Sequence, residues 1–280
     1  RTLHHNRLLT LIFFVFFGSV SLQAEDILIT SFESNSVGGI HGQGDWTLED
    51  GAANITDNSD MVHTGTQALN FVADNGQLVV VNTSFEQDEQ GVTGVVYVDM
   101  FVKINSMAIK DFAISGYDLF GGGSQKRTFV VEFDTPDGSS GTVQMFNGGS
   151  RLYLGNYNFG EWNRISARVD YDNAGYQVIY NESDAVSGSF RETYTPTGSG
   201  ARPDGIKEYH SLRFNLGYDS ATGSVDAALD DLYISTTPIT DVSFPELIIT
   251  RTIEYEQPNI GSITVTPDLD EYPDSSEVTA

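Results

Sequence analysis

Residues Ser211–Thr236 read SLRFNLGYDSATGSVDAALDDLYIST. In the first half, Leu212, Phe214, Leu216 and Tyr218 alternate with Ser211, Arg213 and Asn215. A period of two places the two sets on opposite faces of a half-buried strand. "DSATGS" is a turn cluster, and "DAALDDLYIS" then resumes the strand pattern. Asp230 and Asp231 sit side by side in that otherwise apolar run. Whichever face is buried, one carboxylate shares it with hydrophobic side chains, and an unpaired carboxylate there is costly. Simple alternation puts Asp230 inward with Ala228, Leu232 and Ile234. It puts Asp231 with Leu229 and Tyr233, towards solvent.

The same texture runs through the chain from Asp26. "DILITSF", "QALNFVA", "QLVVVNTSF", "GVVYVDMFVKI", "RTFVVEFDT", "TVQMFN", "NRISARVDY" and "YQVIYN" are short alternating runs. They are broken by "ADNG", "TPDGSSG" and "DNAG". In "NRISARVDY", Ile165, Ala167, Val169 and Tyr171 make one face. No helical period follows residue 25. This pattern predicts an all-β fold, a two-sheet antiparallel β-sandwich of the jelly-roll kind.

The composition agrees: 280 residues, 28 glycines and 11% aromatic residues suit strands and tight turns. The formal charge is −25, from 39 acids against 14 Lys and Arg. A nucleic-acid partner is excluded by the scarcity of clustered cations, and an anionic membrane surface is disfavoured likewise. The absence of cysteine excludes disulfides, thiolate chemistry and Cys-ligated metals, and favours a bacterial exported protein.

RTLHHNRLLTLIFFVFFGSVSLQAED opens the chain. Arg1 and Arg7 precede an apolar stretch, Leu8–Phe17, too short to span a bilayer, and small residues end at Ala24. Residues 1–24 are therefore expected to be a secretory signal peptide, leaving a secreted or cell-surface protein with no membrane span. Losing Arg1 and Arg7 takes the charge from −25 to −27. The sandwich is expected over residues 25–236 and a proline-bearing linker over 237–260. Residues 261–280 read GSITVTPDLDEYPDSSEVTA, which resembles the start of a bacterial surface-repeat domain. Further domains of a larger protein are implied by that resemblance.

Four segments carry a family resemblance. "ITSFESNSVGGIHGQGDW" (29–46), "VHTGTQALNF" (62–71) and "LDDLYIS" resemble, in order, motifs of β-sandwich carbohydrate-binding modules. "GEWNRISARVDYDNAGYQVIYN" (160–181) is similar to concanavalin A-like and laminin-G-like jelly rolls. The resemblance implies a structural calcium ion held by Glu33, the Thr66 carbonyl and Asp230. Calcium takes six to eight oxygens, which suits a carboxylate pair in an acidic chain. It also implies a polysaccharide or glycan partner, and core positions for Trp46 and Trp162. The candidate ligand-binding residues are Tyr117, Tyr153, Tyr157 and Tyr218, near loops, with Arg213 and Asn215 on the polar face of their strand. Exposed rings can stack on sugars, and polar side chains can reach hydroxyls.

A catalytic alternative starts from Glu132-Phe133-Asp134-Thr135-Pro136-Asp137, which resembles the acid strand of laminarinase-type β-glucanases. Glu132 and Asp134 match; the third acid, Asp137, falls in Pro136-Asp137-Gly138, a turn signal. That signal favours a plain hairpin, "VVEFDT–PDGSSG–TVQMFN". The jelly-roll alginate lyase motifs R-x-E-L-R and Q-I-H are absent. His41, His63 and His210 lack ligand-spaced partners and read as structural. A non-catalytic carbohydrate-binding module is the expectation, with a divergent glycoside hydrolase or a ligand-free spacer as alternatives.

Overall fold

A computed structural model describes residues 26–73, 79–84, 91–108, 111–118, 126–134, 140–192, 206, 208–216, 225–247, 251–253 and 263–265. In chain order the strands are β1 (Asp26–Thr30), β2 (Gly38–Gly39), β3 (Trp46–Asp50), β4 (Ala52–Thr56), β5 (Ala68–Ala73), β6 (Val79–Ser84), β7 (Val95–Met107), β8 (Asp111–Asp118) and β9 (Lys126–Asp134). They continue with β10 (Ser140–Asn147), β11 (Ser150–Asn158), β12 (Trp162–Asp170), β13 (Gly175–Tyr180), β14 (Val186–Ser189), β15 (Ser211–Leu216) and β16 (Val225–Ser235). Last come β17 (Arg251–Ile253) and β18 (Ile263–Val265), which pair only with each other.

Two antiparallel sheets form the sandwich. One has nine strands in the order β14-β13-β12-β7-β16-β5-β4-β2, with β1 also paired to β16. The other has seven, β11-β10-β9-β8-β15-β6-β3. β7 shows why these residues make strands. Val96, Val98, Met100, Val102 and Ile104 are fully buried against the opposite sheet, while Tyr97, Asp99, Phe101 and Lys103 project outward. Ile165, Ala167, Val169 and Tyr171 are buried together, as their alternation requires. β3, β4, β8, β11 and β14 were not legible as alternating runs.

An aromatic spine joins the sheets. Phe214 lies 5.6 Å from Phe71, 6.2 Å from Trp46 and 6.4 Å from Phe112, and Phe133 meets Tyr157 edge-on at 5.2 Å. Trp46 is core, as expected. Trp162 is not: it lies half-buried on the outer face of the nine-stranded sheet, edge-on to His63. Alternation explains this, since Ile165, three residues on, turns inward and Trp162 must turn out.

β9 and β10 pair from Asp134/Thr142 to Val131/Met145, which makes the expected hairpin strands; its turn lies outside the described residues. Beyond that point a side chain takes over the ladder. The buried Tyr176 hydroxyl donates to the Phe146 carbonyl and accepts from the Phe146 N–H at 3.1 Å and the Val130 N–H at 3.4 Å. Burial pushes this phenol well above its usual pKa, so it stays neutral and can donate.

The stretch expected to be a linker from residue 237 still touches the sandwich. Arg164 on β12 forks between the buried Asp99 and Asp241, with Nη1–Oδ2 at 2.6 Å to Asp241, and Phe244 packs on Tyr97. Ile239 and Leu247 are buried. Residues 1–24, the expected signal peptide, and residues 261–280 apart from β18 lie outside the described residues.

Tyr176→Phe keeps the ring and strips the hydroxyl from the β9–β10 gap. It should cost about 1–3 kcal/mol, the penalty for buried backbone groups left without a partner. The expected readout is a lower urea midpoint at unchanged m-value.

Candidate functional site

The Asp230–Asp231 pair sits where β16 changes partners. Val225–Leu229 pair with β5, and Leu232–Ser235 pair with β1, along the same edge. On the other edge Asp230 opposes Phe101 and Tyr233 opposes Asp99, so one extra residue is accommodated there. Asp231 adopts φ 49°, a left-handed conformation that aspartate tolerates better than most residues. The bulge reverses the parity of the strand. Val225, Ala227 and Leu229 face the core before it, Leu232 and Ile234 after it. Asp230 therefore lies on the outer face with Ala228, and not on the face of Leu232 and Ile234, correcting the reading from simple alternation.

Asp230 is nonetheless fully buried, because the loop before β5 covers it. Its Oδ2 accepts the N–H groups of His63 (2.9 Å) and Thr64 (3.1 Å), and its Oδ1 that of Asp231 (2.8 Å). Asp231 accepts from the Thr64 hydroxyl at 2.6 Å and meets His63 Nδ1 at 2.7 Å. The His63 ring stacks on Phe101 at 3.8 Å. Glu33, from the other end of the domain, grips the same loop. Its Oε1 accepts from Thr66 N (2.7 Å) and Gln67 N (2.9 Å), its Oε2 from the Thr66 hydroxyl (2.6 Å). Those bonds hold the Glu33 carboxyl below the usual range, whereas burial pushes Asp230 up against the pull of its three N–H donors.

The three residues expected to share calcium thus meet at one loop, with Thr66 presenting its N–H and hydroxyl to Glu33. Among the described residues no group of three or more His, Asp or Glu is arranged to hold a metal ion. Glu33 Oε2 and Asp230 Oδ1 each carry a single donor, which fits two of the six to eight oxygens calcium takes.

Of the expected ligand residues, Tyr153, Arg213 and Asn215 lie elsewhere, on the outer face of the seven-stranded sheet. The strand register aligns Asn215 with Ala113, Ala113 with Glu132, Glu132 with Gln144, and Gln144 with Tyr153. This row crosses five strands, about 19 Å at the usual strand spacing. Beside it, Arg213 aligns with Ser115, Ser115 with Val130, and Arg151 with Phe146. Ala113 and Ser115 on β8 are small, and Ser115 is buried among its neighbours. Tyr153 stands at the edge, 58% exposed, and Asn215 Oδ1 is buried without a hydrogen-bond partner. Arg213 pairs with Glu49 and lies over the Tyr117 ring at 5.8 Å.

Two expected tyrosines do not offer a ring. Tyr157 faces the core against Phe133, and Tyr117 is buried beneath Arg213, its phenol pushed up by desolvation. Tyr218 lies outside the described residues. Glu132 is buried mid-strand with Oε2 at 2.8 Å from Arg151 Nε; Asp134 ends β9, opposite Asp111 and Thr142. Ala113, Gln144, Phe146 and Arg151 were missed from the sequence. The alternation of Ala113, Ser115 and Tyr117 with Phe112 and Ile114 was the available signal.

No family model and no curated protein sequence matches the chain. Solved structures do match. A sialidase aligns over 76% of this chain at 14% identity and TM-score 0.53, and the chain spans 18% of the sialidase's length. The catalytic domain of a glycoside hydrolase family 131 protein from Coprinopsis cinerea aligns over 76% of this chain and 95% of its own, at 10% identity and TM-score 0.48. An alginate lyase from Pseudomonas aeruginosa aligns over 65% and 86%, at 11% identity and TM-score 0.45. The likeness to the sialidase is one of fold: a jelly-roll β-sandwich.

Asp230→Ala would leave three N–H groups beneath the loop without an acceptor. The expected loss is about 2–4 kcal/mol by chemical denaturation. Amide exchange should accelerate first at His63 and Thr64, whose N–H groups lose their acceptor.

Proposed function

We propose that the protein is a secreted, non-catalytic glycan-binding module whose ligand lies along the outer face of the seven-stranded sheet. The observation that carries this reading is the aligned row Asn215–Ala113–Glu132–Gln144–Tyr153. It lines up amides, the buried Glu132 carboxylate and a phenol, with the exposed Tyr153 ring at one end. A sugar chain needs such a mixture: donors and acceptors for hydroxyls, and an aromatic face for the C–H surface of a ring. The fold-level likeness to a protein named a sialidase supports carbohydrate by analogy, an associational warrant. Glu132 is already engaged by Arg151, which supports a recognition role for this carboxylate.

Calcium at the Glu33–Asp230 loop is a separate part of the proposal. Glu33, Asp230 and carbonyls of residues 62–67 would hold it, and its charge would offset two acids in a chain at −25. An ion bound only by the folded state must raise its stability. The melting midpoint should therefore fall on chelation and recover with added calcium; an unchanged midpoint would remove the ion.

A glycan-array screen of residues 25–247 tests the binding face. Tyr153→Ala should weaken binding about tenfold, the worth of one stacking contact, with an unchanged melting midpoint. Full affinity in that variant would move the ligand off this face.

A further inference from the structure

Arginine is scarce in this chain and almost always neutralised. Six guanidinium groups have described side chains. Arg127 pairs with Glu192, Arg151 with Glu132, Arg164 with Asp99 and Asp241, Arg168 with Asp170, and Arg213 with Glu49. Arg191 has no carboxylate partner among the described residues. This is the reverse of what 39 acids against 14 bases would produce by chance encounter.

Its placement is fixed by the fold. The Arg191 N–H donates to the Thr128 carbonyl at 2.8 Å, tying the end of its segment to β9. The guanidinium then lies 4.7 Å from the centroid of the Phe146 ring. Arg151 lies 5.1 Å from the same centroid. Two cations thus share one ring beside Glu132, and Glu132 engages Arg151 alone of the two. The remaining contact of the Arg191 head is a long one, Nη1 to the Gly148 carbonyl at 3.4 Å, and its buried Nε has no hydrogen-bond partner. A partly buried guanidinium with an unmet donor lacks an acceptor that it could bind strongly.

We infer that Arg191, with Arg151 across Phe146, takes an anionic substituent of the glycan, a carboxylate or a sulfate. The inference rests on the proposed binding face, since Phe146 and Arg151 continue the row beside Glu132 and Gln144. Planar guanidinium matches both oxyanions, and the aromatic ring holds it in orientation. The net charge of −25 repels polyanions at long range, but screening at physiological salt confines that field to about 8 Å. A local cation therefore decides which acidic sugar is admitted rather than attracting all of them.

The test measures binding of the full chain to three polymers: a neutral glucan, a polyuronate and a sulfated galactan. Either acidic polymer should bind about tenfold tighter than the neutral one, the worth of one charge-assisted contact. Which acidic polymer wins distinguishes carboxylate from sulfate. Arg191→Gln should abolish the preference and leave neutral binding and the melting midpoint intact, whereas Tyr153→Ala should weaken both kinds of binding together. Equal or tighter binding of the neutral polymer, or a preference that survives Arg191→Gln, would overturn the inference while leaving the glycan-binding face in place. Failure of all three polymers to bind would remove the face itself and the inference with it.

Discussion

The fully buried Asp230 carboxylate organises the edge of the nine-stranded sheet. β16 needs two partners in succession along one side, β5 and then β1, and between them the ladder has a gap. A loop must cross that gap with its backbone N–H groups facing inward, where no carbonyl can meet them. One carboxylate accepts two of them and a third from its own neighbour. Glu33 then fastens the far end of the same loop from the first turn of the domain. The start and the end of the sandwich are joined in this way through four backbone donors of one loop and no covalent link, in a chain without cysteine.

The same bulge sets the faces on either side of it. Because Asp231 takes up a left-handed residue, the core-facing set changes from Val225, Ala227 and Leu229 to Leu232 and Ile234. The outer face gains a place for His63 over Phe101, and the neighbouring β12 carries Arg164, which fastens the departing chain through Asp241. The seven-stranded sheet has no comparable constraint on its outer side. Its register is unshifted between β15 and β8 and between β9 and β10, with shifts at Ser115/Tyr117 and at Val143/Gln144, and it carries the polar row. One sheet is devoted to closing the domain, the other is left open.

Charge follows the same division. On the closed sheet, carboxylates are met by backbone N–H groups, by Arg164 or, at Asp170, by Arg168. On the open sheet, Glu132 and Glu49 are each met by an arginine two strands away, and Arg127 meets Glu192. Arg191 stands apart: among the described residues its guanidinium meets no carboxylate and lies over the Phe146 ring.

Much of this was legible in the sequence. Period-two alternation gave ten of the strands and the inward faces of β12 and β15, because burial on one face of a strand dictates which residue types alternate. The meeting of Glu33, Thr66 and Asp230 followed from their motifs. Parity beyond Asp230 was not legible: a bulge depends on which strands lie on either side, and a single left-handed residue carries no hydrophobic signature. Nor could alternation say that Tyr157 and Tyr117 are covered while Tyr153 is exposed, since cover comes from Phe133 and Arg213 on other strands. The row from Asn215 to Tyr153 joins residues up to 102 positions apart. Sequence alone determined that the chain is a sandwich with tied ends. Only the tertiary register, fixed by backbone hydrogen bonds between strands distant in the chain, decided which polar residues stand in line.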